Sequence, residues 1–160
     1  MNRIGDSLHH VGMNEVLIRA FTSGGVEFVI VGGLAIAWYC ADRQADDMDL
    51  LINPTLDNST RISNALIQLG LQGHSPNSFT KAGLQVPLKQ QYYAELLTPR
   101  KTDPPYSAVA QDAVDAKVFG IPVRVASPAR LIQMKQQAAA SAEAQRNKHL
   151  RDIELLKHAV

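Results

Sequence analysis

Asp47 and Asp49 stand two residues apart in the segment Asp47-Met48-Asp49-Leu50, and upstream, across thirteen intervening residues, lies the glycine pair of Val31-Gly32-Gly33. In a strand, alternate side chains share a face, so Asp47 and Asp49 project together while Met48, Leu50 and Ile52 turn toward the core. Two close carboxylates repel unless a cation sits between them, and oxygen-only ligation suits Mg²⁺ or Mn²⁺ carrying a substrate phosphate. Acidic pairs also occur as solvated loop starts, and a glycine pair can be no more than a tight strand-to-helix turn. Together the two features favour a phosphate and metal site. Glycine lets the backbone approach a phosphate closely, and a helix that follows aims free amides and the positive end of its dipole at the anion.

The surrounding pattern supplies elements to hold these groups. Leu8, Val11, Leu17, Ala20 and Phe21 recur at helical spacing over residues 7–22, and Gly24-Gly25 ends the run. Residues 26–31, rich in β-branched and aromatic side chains, predict a buried strand, and the Ala-rich residues 33–39 predict a helix. A polar loop over 40–46 leads into a second strand over 47–52, closed by Asn53-Pro54. Leu56, Ile62, Leu66, Ile67 and Leu69 form a helix face, with Asp57 or Ser59 as cap and Gly70 as stop.

Strand character returns over residues 79–98, with Lys81-Ala82-Gly83 as the expected hairpin turn and Tyr92 to Leu97 as the strand after it. Glu95 is the one acid in that segment. Residues 98–107 read as a proline-rich loop, and residues 117–125 as a hairpin turning at Gly120. Ser127-Pro128 is a strong helix start, because serine caps free amides and proline fits the first turn. One helix is expected from there to about residue 140 and another from about Glu143 to His158. Leu150, Ile153, Leu155 and Leu156 on the last helix are apolar enough to pack on the core or on a partner.

Whole-chain properties exclude several classes. A chain of 160 residues fits one domain with its own core. Sixteen Lys and Arg against fifteen Asp and Glu leave no global field to steer it to nucleic acid or membrane, so any polyanion site is local. The single cysteine, Cys40, excludes an internal disulfide and a cysteine-built zinc site, and suits a reducing cytoplasm. The N-terminal segment lacks a signal-peptide pattern, and the longest apolar stretch, over 28–41, is too short for a membrane span and is broken by Gly32-Gly33. His9, His10, His74, His149 and His158 are scattered, which weakens a His-Asp phosphohydrolase reading.

Val31-Gly32-Gly33, the spacer and Asp47-Met48-Asp49-Leu50 resemble the hydrophobic, Gly, Gly or Ser, spacer, Asp-x-Asp pattern of DNA polymerase β-like nucleotidyltransferases. Arg43-Gln44-Ala45-Asp46-Asp47 resembles the Arg-x-Thr-x-Asp lead-in of small bacterial AbiEii-type nucleotidyltransferase-like proteins, with Ala45 in place of threonine. Residues 123–135 resemble that family's strand, Ser-Pro and Leu-x-x-x-Lys helix. Residues 146–153 resemble its Arg-x-Lys-Asp-x-x-Asp segment, with His149 in place of the first aspartate.

The resemblance implies an α/β (α+β) nucleotidyltransferase fold: a mixed β-sheet with helices packed on one face, a core over 1–126 and a C-terminal helical segment over 127–160 packed on it. It implies a nucleoside triphosphate substrate held at Gly32 and Gly33, Mg²⁺ at Asp47 and Asp49, and a third carboxylate at Glu95, where aspartate is usual. Glu95 is then a metal ligand, a general base or a solvated strand residue. Arg43 either contacts phosphate or pins the loop through Asp42 or Asp46. Lys135 reaches the phosphates or is a solvated helical lysine. Arg146, Lys148 and Arg151 form a basic set suited to RNA or an acidic partner, or a solvated face, with Asp152 pairing one of them. The implied activity is transfer of a nucleoside monophosphate to a hydroxyl of RNA such as tRNA, a protein or a small molecule, in a toxin-antitoxin or defence setting. The alternative is an inactive partner such as an antitoxin, which Ala45, Glu95 and His149 keep open.

Overall fold

A computed structural model describes residue 8 and residues 10–40, 42–88, 91–141 and 146–159. The elements run α1 (Asn14–Ser23), β1 (Phe28–Val31), α2 (Gly32–Tyr39), β2 (Met48–Ile52), α3 (Leu56–Gln68), β3 (Gln85–Pro87), β4 (Ala94–Leu97), α4 (Tyr106–Gln111), β5 (Val114–Val118), β6 (Ile121–Val125), α5 (Pro128–Ser141) and α6 (Arg146–Ala159). The strands form one six-stranded mixed sheet in the order β3-β4-β2-β1-β6-β5. β1 is antiparallel to β2 and parallel to β6, and β2 is parallel to β4.

The sheet's centre is where the chain is most apolar. Val29, Ile30 and Val31 of β1, and Met48, Leu50, Leu51 and Ile52 of β2, are all buried, so residues of both parities lose contact with water. Each such aliphatic side chain contributes about 2 kcal/mol of transfer free energy. β6 alternates instead: Ile121, Val123 and Val125 are buried while Pro122 and Arg124 are exposed. That is the pattern of a strand covered on one face. α5 and α6 pack on each other and on α2, with Leu131, Ile153 and Leu156 buried. Leu150 and Leu155, read as able to pack on the core or on a partner, are not covered by the core and stand 47% and 39% exposed.

Several boundaries differ from the sequence expectation for local reasons. α1 begins at Asn14 rather than residue 7, because Gly12 takes a positive φ of 49° and sits where any side chain would collide with the Gln91 carbonyl. Val11 is accordingly exposed, and Leu8 instead bridges Ala45. The cap of α3 is Thr55, whose hydroxyl accepts from the Asn58 amide at 3.2 Å, rather than Asp57 or Ser59. The turn at Lys81-Gly83 precedes β3; the β3-β4 hairpin closes through the residues after Pro87. The proline-rich segment feeds α4, a short helix not foreseen. The hairpin at Gly120 forms as expected, with Phe119 and Gly120 both at positive φ. Ser127 caps α5 by accepting from the Arg130 amide. The expected start of the last helix at Glu143 lies outside the described residues.

Candidate active site

β1 ends and α2 begins at the same point, so the chain turns through Gly32 with a φ of +69° directly beside the first paired residues of the sheet. Val31 is in register with Asp49 across the antiparallel pair. A side chain at Gly32 would therefore collide with the Asp49 carboxylate, and one at Gly33 would come within 3.2 Å of Ala45 Cβ and 3.3 Å of Arg43 Nη2. Gly32 is demanded by the backbone and by the space next to the acid, while a side chain at Gly33 requires its neighbours to give by a few tenths of an ångström. Val31 occupies the cap position of α2 and has no side chain to accept from the first helical amides. Those donors are left for another acceptor.

The acids come from two parallel neighbours. β2 and β4 pair in parallel with Asp49 opposite Glu95. Asp47 lies just before β2 rather than within it, and is exposed, yet it faces the same cavity. That cavity, about 280 Å³, is lined by Gly33, Arg43, Ala45, Asp46, Asp47, Asp49, Glu95, Lys135, Lys148 and His149. Residues spread over more than a hundred positions of sequence thus converge, including every residue expected to act except Gly32, whose Cα backs Asp49. Asp46 also lines it.

Crowding of like charge shows in the proton affinities. Asp49 is pushed up to about 7 by burial first, then by Glu95, with Asp47 adding to it; Lys135 and Lys148 pull the other way. Glu95 is raised by burial and then by Asp47. A divalent cation would relieve this repulsion, and an all-oxygen donor set suits a hard ion. Among the described residues, however, no group of three or more His, Cys, Asp or Glu is gathered closely enough to hold a metal. The residues therefore fit a cation held by the Asp47 and Asp49 carboxylates, with phosphate or water filling the remaining positions. Glu95 shares the cavity without completing a three-acid cluster.

The cationic side of the cavity is organised by a residue that sequence reasoning assigned elsewhere. Asp152 of α6 is buried, and Arg43 grips it from Nε to Oδ1 at 2.9 Å and from Nη2 to Oδ2 at 3.3 Å. Lys135 of α5 reaches the same carboxylate, Nζ to Oδ2 at 3.2 Å. Burial pushes the Asp152 carboxyl up, but the hydrogen bond from Arg43 and the charges of Lys135 and Arg43 together outweigh it and hold the group below its ordinary range. The partners seen for Asp152 are thus Arg43 and Lys135, from outside its own helix, and it is Asp152 that pins Arg43. His149 Nδ1 lies 3.3 Å from Lys135 Nζ. Burial and then Lys135 lower the imidazole's proton affinity, and an Nδ1 that carries no proton can accept from the ammonium.

A further residue outside the expected set fixes the acidic strand. Asn14, wholly buried in α1, donates from Nδ2 to the Tyr93 carbonyl at 2.9 Å and accepts from the Tyr93 amide at 2.8 Å. Its amide replaces a strand partner just before β4, two residues ahead of Glu95.

This arrangement is the nucleotidyltransferase fold, and solved structures bear that out. The chain is similar to an antigenic nucleotidyltransferase-like protein from Paracoccidioides brasiliensis, with a TM-score of 0.54 and 16% identity over 89% of this chain and 73% of that one. It is likewise similar to ANT(2")-Ia, solved in complex with adenylyl-2"-tobramycin, with a TM-score of 0.55 and 17% identity over 90% and 85% of the two chains. No protein-family model matches the sequence, and no curated protein matches it either. Among the described residues no helix is long and apolar enough to cross a membrane.

Proposed function

We propose that the chain is a nucleotidyltransferase that moves a nucleoside monophosphate from a nucleoside triphosphate to an acceptor hydroxyl. The observation that carries this reading is the parallel register of Asp49 with Glu95 in a cavity lined by Gly33 of the strand-to-helix turn. The acceptor oxygen bonds to the α-phosphorus, the bond from that phosphorus to the bridging oxygen breaks, and pyrophosphate leaves. Glu95, its proton affinity raised, takes the hydroxyl proton. The α2 amides bind the triphosphate, and Arg43 and Lys135, both held by Asp152, present their remaining N–H donors to it. Asp47 and Asp49 would hold Mg²⁺ or Mn²⁺, which when bound neutralises charge on the transferring phosphoryl group.

Residues 43–49, 123–135 and 146–153 support an AbiEii-type affiliation, and with it a cytoplasmic toxin-antitoxin or defence role with RNA, a protein or a small molecule as acceptor. ANT(2")-Ia, in complex with its adenylylated antibiotic, supports the small-molecule class. A second reading, an inactive binding partner, draws on the absence of a gathered three-acid cluster among the described residues.

Incubation with each radiolabelled nucleoside triphosphate, Mg²⁺ or Mn²⁺, and cell RNA or lysate separates the two. Wild type should label an acceptor, and Asp47→Ala combined with Asp49→Ala should not. Absence of labelling together with a melting temperature that no nucleotide moves would sink the enzyme reading.

A further inference from the structure

A second cavity, about 340 Å³, opens on the same face of the sheet as the acids. The connection follows from strand parity. Asp49 and Leu51 are two apart on β2, as are Glu95 and Leu97 on β4, and the two strands pair with Asp49 opposite Glu95 and Leu51 opposite Leu97. The face that carries the acidic pair thus carries a leucine pair roughly 7 Å further along, at about 3.3 Å per residue. Leu51 and Leu97 line this cavity, Met134 of α5 faces them one residue before Lys135, and β3 bounds the far side through Gln85.

The charges in its lining and the Thr98 hydroxyl are already matched. The Thr98 hydroxyl donates to the Lys81 carbonyl at 2.6 Å and accepts from the Leu84 amide at 2.8 Å. Asp103, the acid in the lining, is engaged by Arg100 through Nε and Nη2 as well as through the backbone amide. The cavity therefore asks for no net charge from its occupant, and its floor favours an apolar body.

Position decides which reactant belongs there. In phosphoryl transfer the attacking and leaving oxygens lie roughly in line. The pyrophosphate is held toward Gly32-Gly33 at the β1 side, so the attacking hydroxyl comes from the β4 side, over Glu95. The leucine-floored cavity lies on that side, between β4, β3 and α5. We propose that it is the acceptor pocket, and that the acceptor is a neutral hydroxyl compound with an apolar, ring-sized body. This rests on the nucleotidyltransferase reading above and narrows it, away from polycationic acceptors, for which one paired aspartate offers no counter-charge.

The test uses the full chain with ¹³C-labelled Met and Leu methyls and two probes, benzyl alcohol and cyclohexanemethanol. Saturable shifts of the Met134, Leu51 and Leu97 methyls are expected, persisting when a non-hydrolysable nucleoside triphosphate is also bound. Leu97→Lys should weaken probe binding by about tenfold or more while leaving the nucleotide-induced rise in melting temperature intact. Met134→Lys, from the opposite wall, repeats the test should the strand variant fail to fold. No saturable shift overturns the proposal. So does a nucleotide that itself moves these methyls and displaces the alcohols, because the cavity is then a nucleobase site. A wild-type melting temperature that no nucleotide shifts, with the alcohols still binding, rejects the nucleotidyltransferase reading instead.

Discussion

Arg43 and Asp152, 109 residues apart, form a two-pronged ion pair that ties the loop before β2 to α6. Their side chains are only 18% and 3% exposed, and Lys135 at 14% shares the same carboxylate. Removing the anion leaves two partly buried cations facing one another. Asp152→Ala should therefore cost about 3 kcal/mol, in the range for breaking a buried pair by deleting one partner. Arg43→Ala and Asp152→Ala combined should cost clearly less than the sum of the two, because the second deletion removes a charge already orphaned. Urea titration of the four members of the cycle measures the coupling, and additive losses would show that the pair is not energetically linked.

Gly32→Ala should damage stability and nucleotide binding together. The methyl meets the Asp49 carboxylate, and a φ of +69° costs an alanine about 1 to 2 kcal/mol before any collision is counted. Gly70→Ala is the matched control, since it has a φ of +79° with nothing near the position of the new carbon. Both variants should lose stability in thermal melts, but only Gly32→Ala should also lose the nucleotide-induced rise. Equal behaviour of the two would remove the reason given for glycine at the site.

How far the sequence disclosed this site depended on whether the signal was local. Gly32-Gly33 and Asp47-Met48-Asp49 are a turn and the start of a strand, so their types and alternation stated their geometry; Glu95 needed only the recognition of a neighbouring strand. The Arg43-Asp152-Lys135 cluster depends on how α6 lies against α5 and α2, which no periodicity encodes; taken alone, Arg43 reads as a phosphate contact or loop pin, Lys135 as a phosphate contact or solvated lysine, and Asp152 as a partner for a base on its own helix. Asn14 was hidden for a similar reason. It lies in the stretch read as an amphipathic helix from residue 7, and a polar residue at its true start passed as surface, although its amide is wholly buried against Tyr93.

That amide makes a specific forecast. Asn14→Ala deletes two hydrogen bonds and strands the Tyr93 N–H beside the acidic strand, while the Tyr93 carbonyl keeps the Met48 amide, a loss of about 1 to 3 kcal/mol. Asn14→Asp keeps the acceptor for the Tyr93 amide but loses the donor to its carbonyl, so it should be destabilised as well, with a carboxylate facing a carbonyl oxygen. Amide hydrogen exchange should speed up at Tyr93 and through β4 more than in β5 and β6. Uniform exchange across the sheet would mean that the side chain does not act as a strand partner.

Asp49 makes stability depend on pH in a direction opposite to that of an ordinary salt-bridged acid. Its carboxyl binds a proton up to about pH 7 in the folded chain, against about 4 when unfolded. Between those values the folded state holds more protons than the unfolded state, so unfolding releases them and stability falls as pH rises. The loss is complete above about pH 7 and is on the order of 4 kcal/mol. Asp49→Asn cannot ionise. It should match wild type near pH 4 and be more stable at pH 8, with a flatter profile between, and what slope remains should follow Glu95, whose affinity is raised as well. Mg²⁺ should raise the wild-type melting temperature more at pH 8, where Asp49 is charged, than near pH 4, where a proton occupies its carboxyl. Guanidinium titrations across this range decide it: a wild type equally stable at pH 5 and pH 8, or an Asp49→Asn variant that loses stability with pH as steeply as wild type, would remove Asp49 as the source.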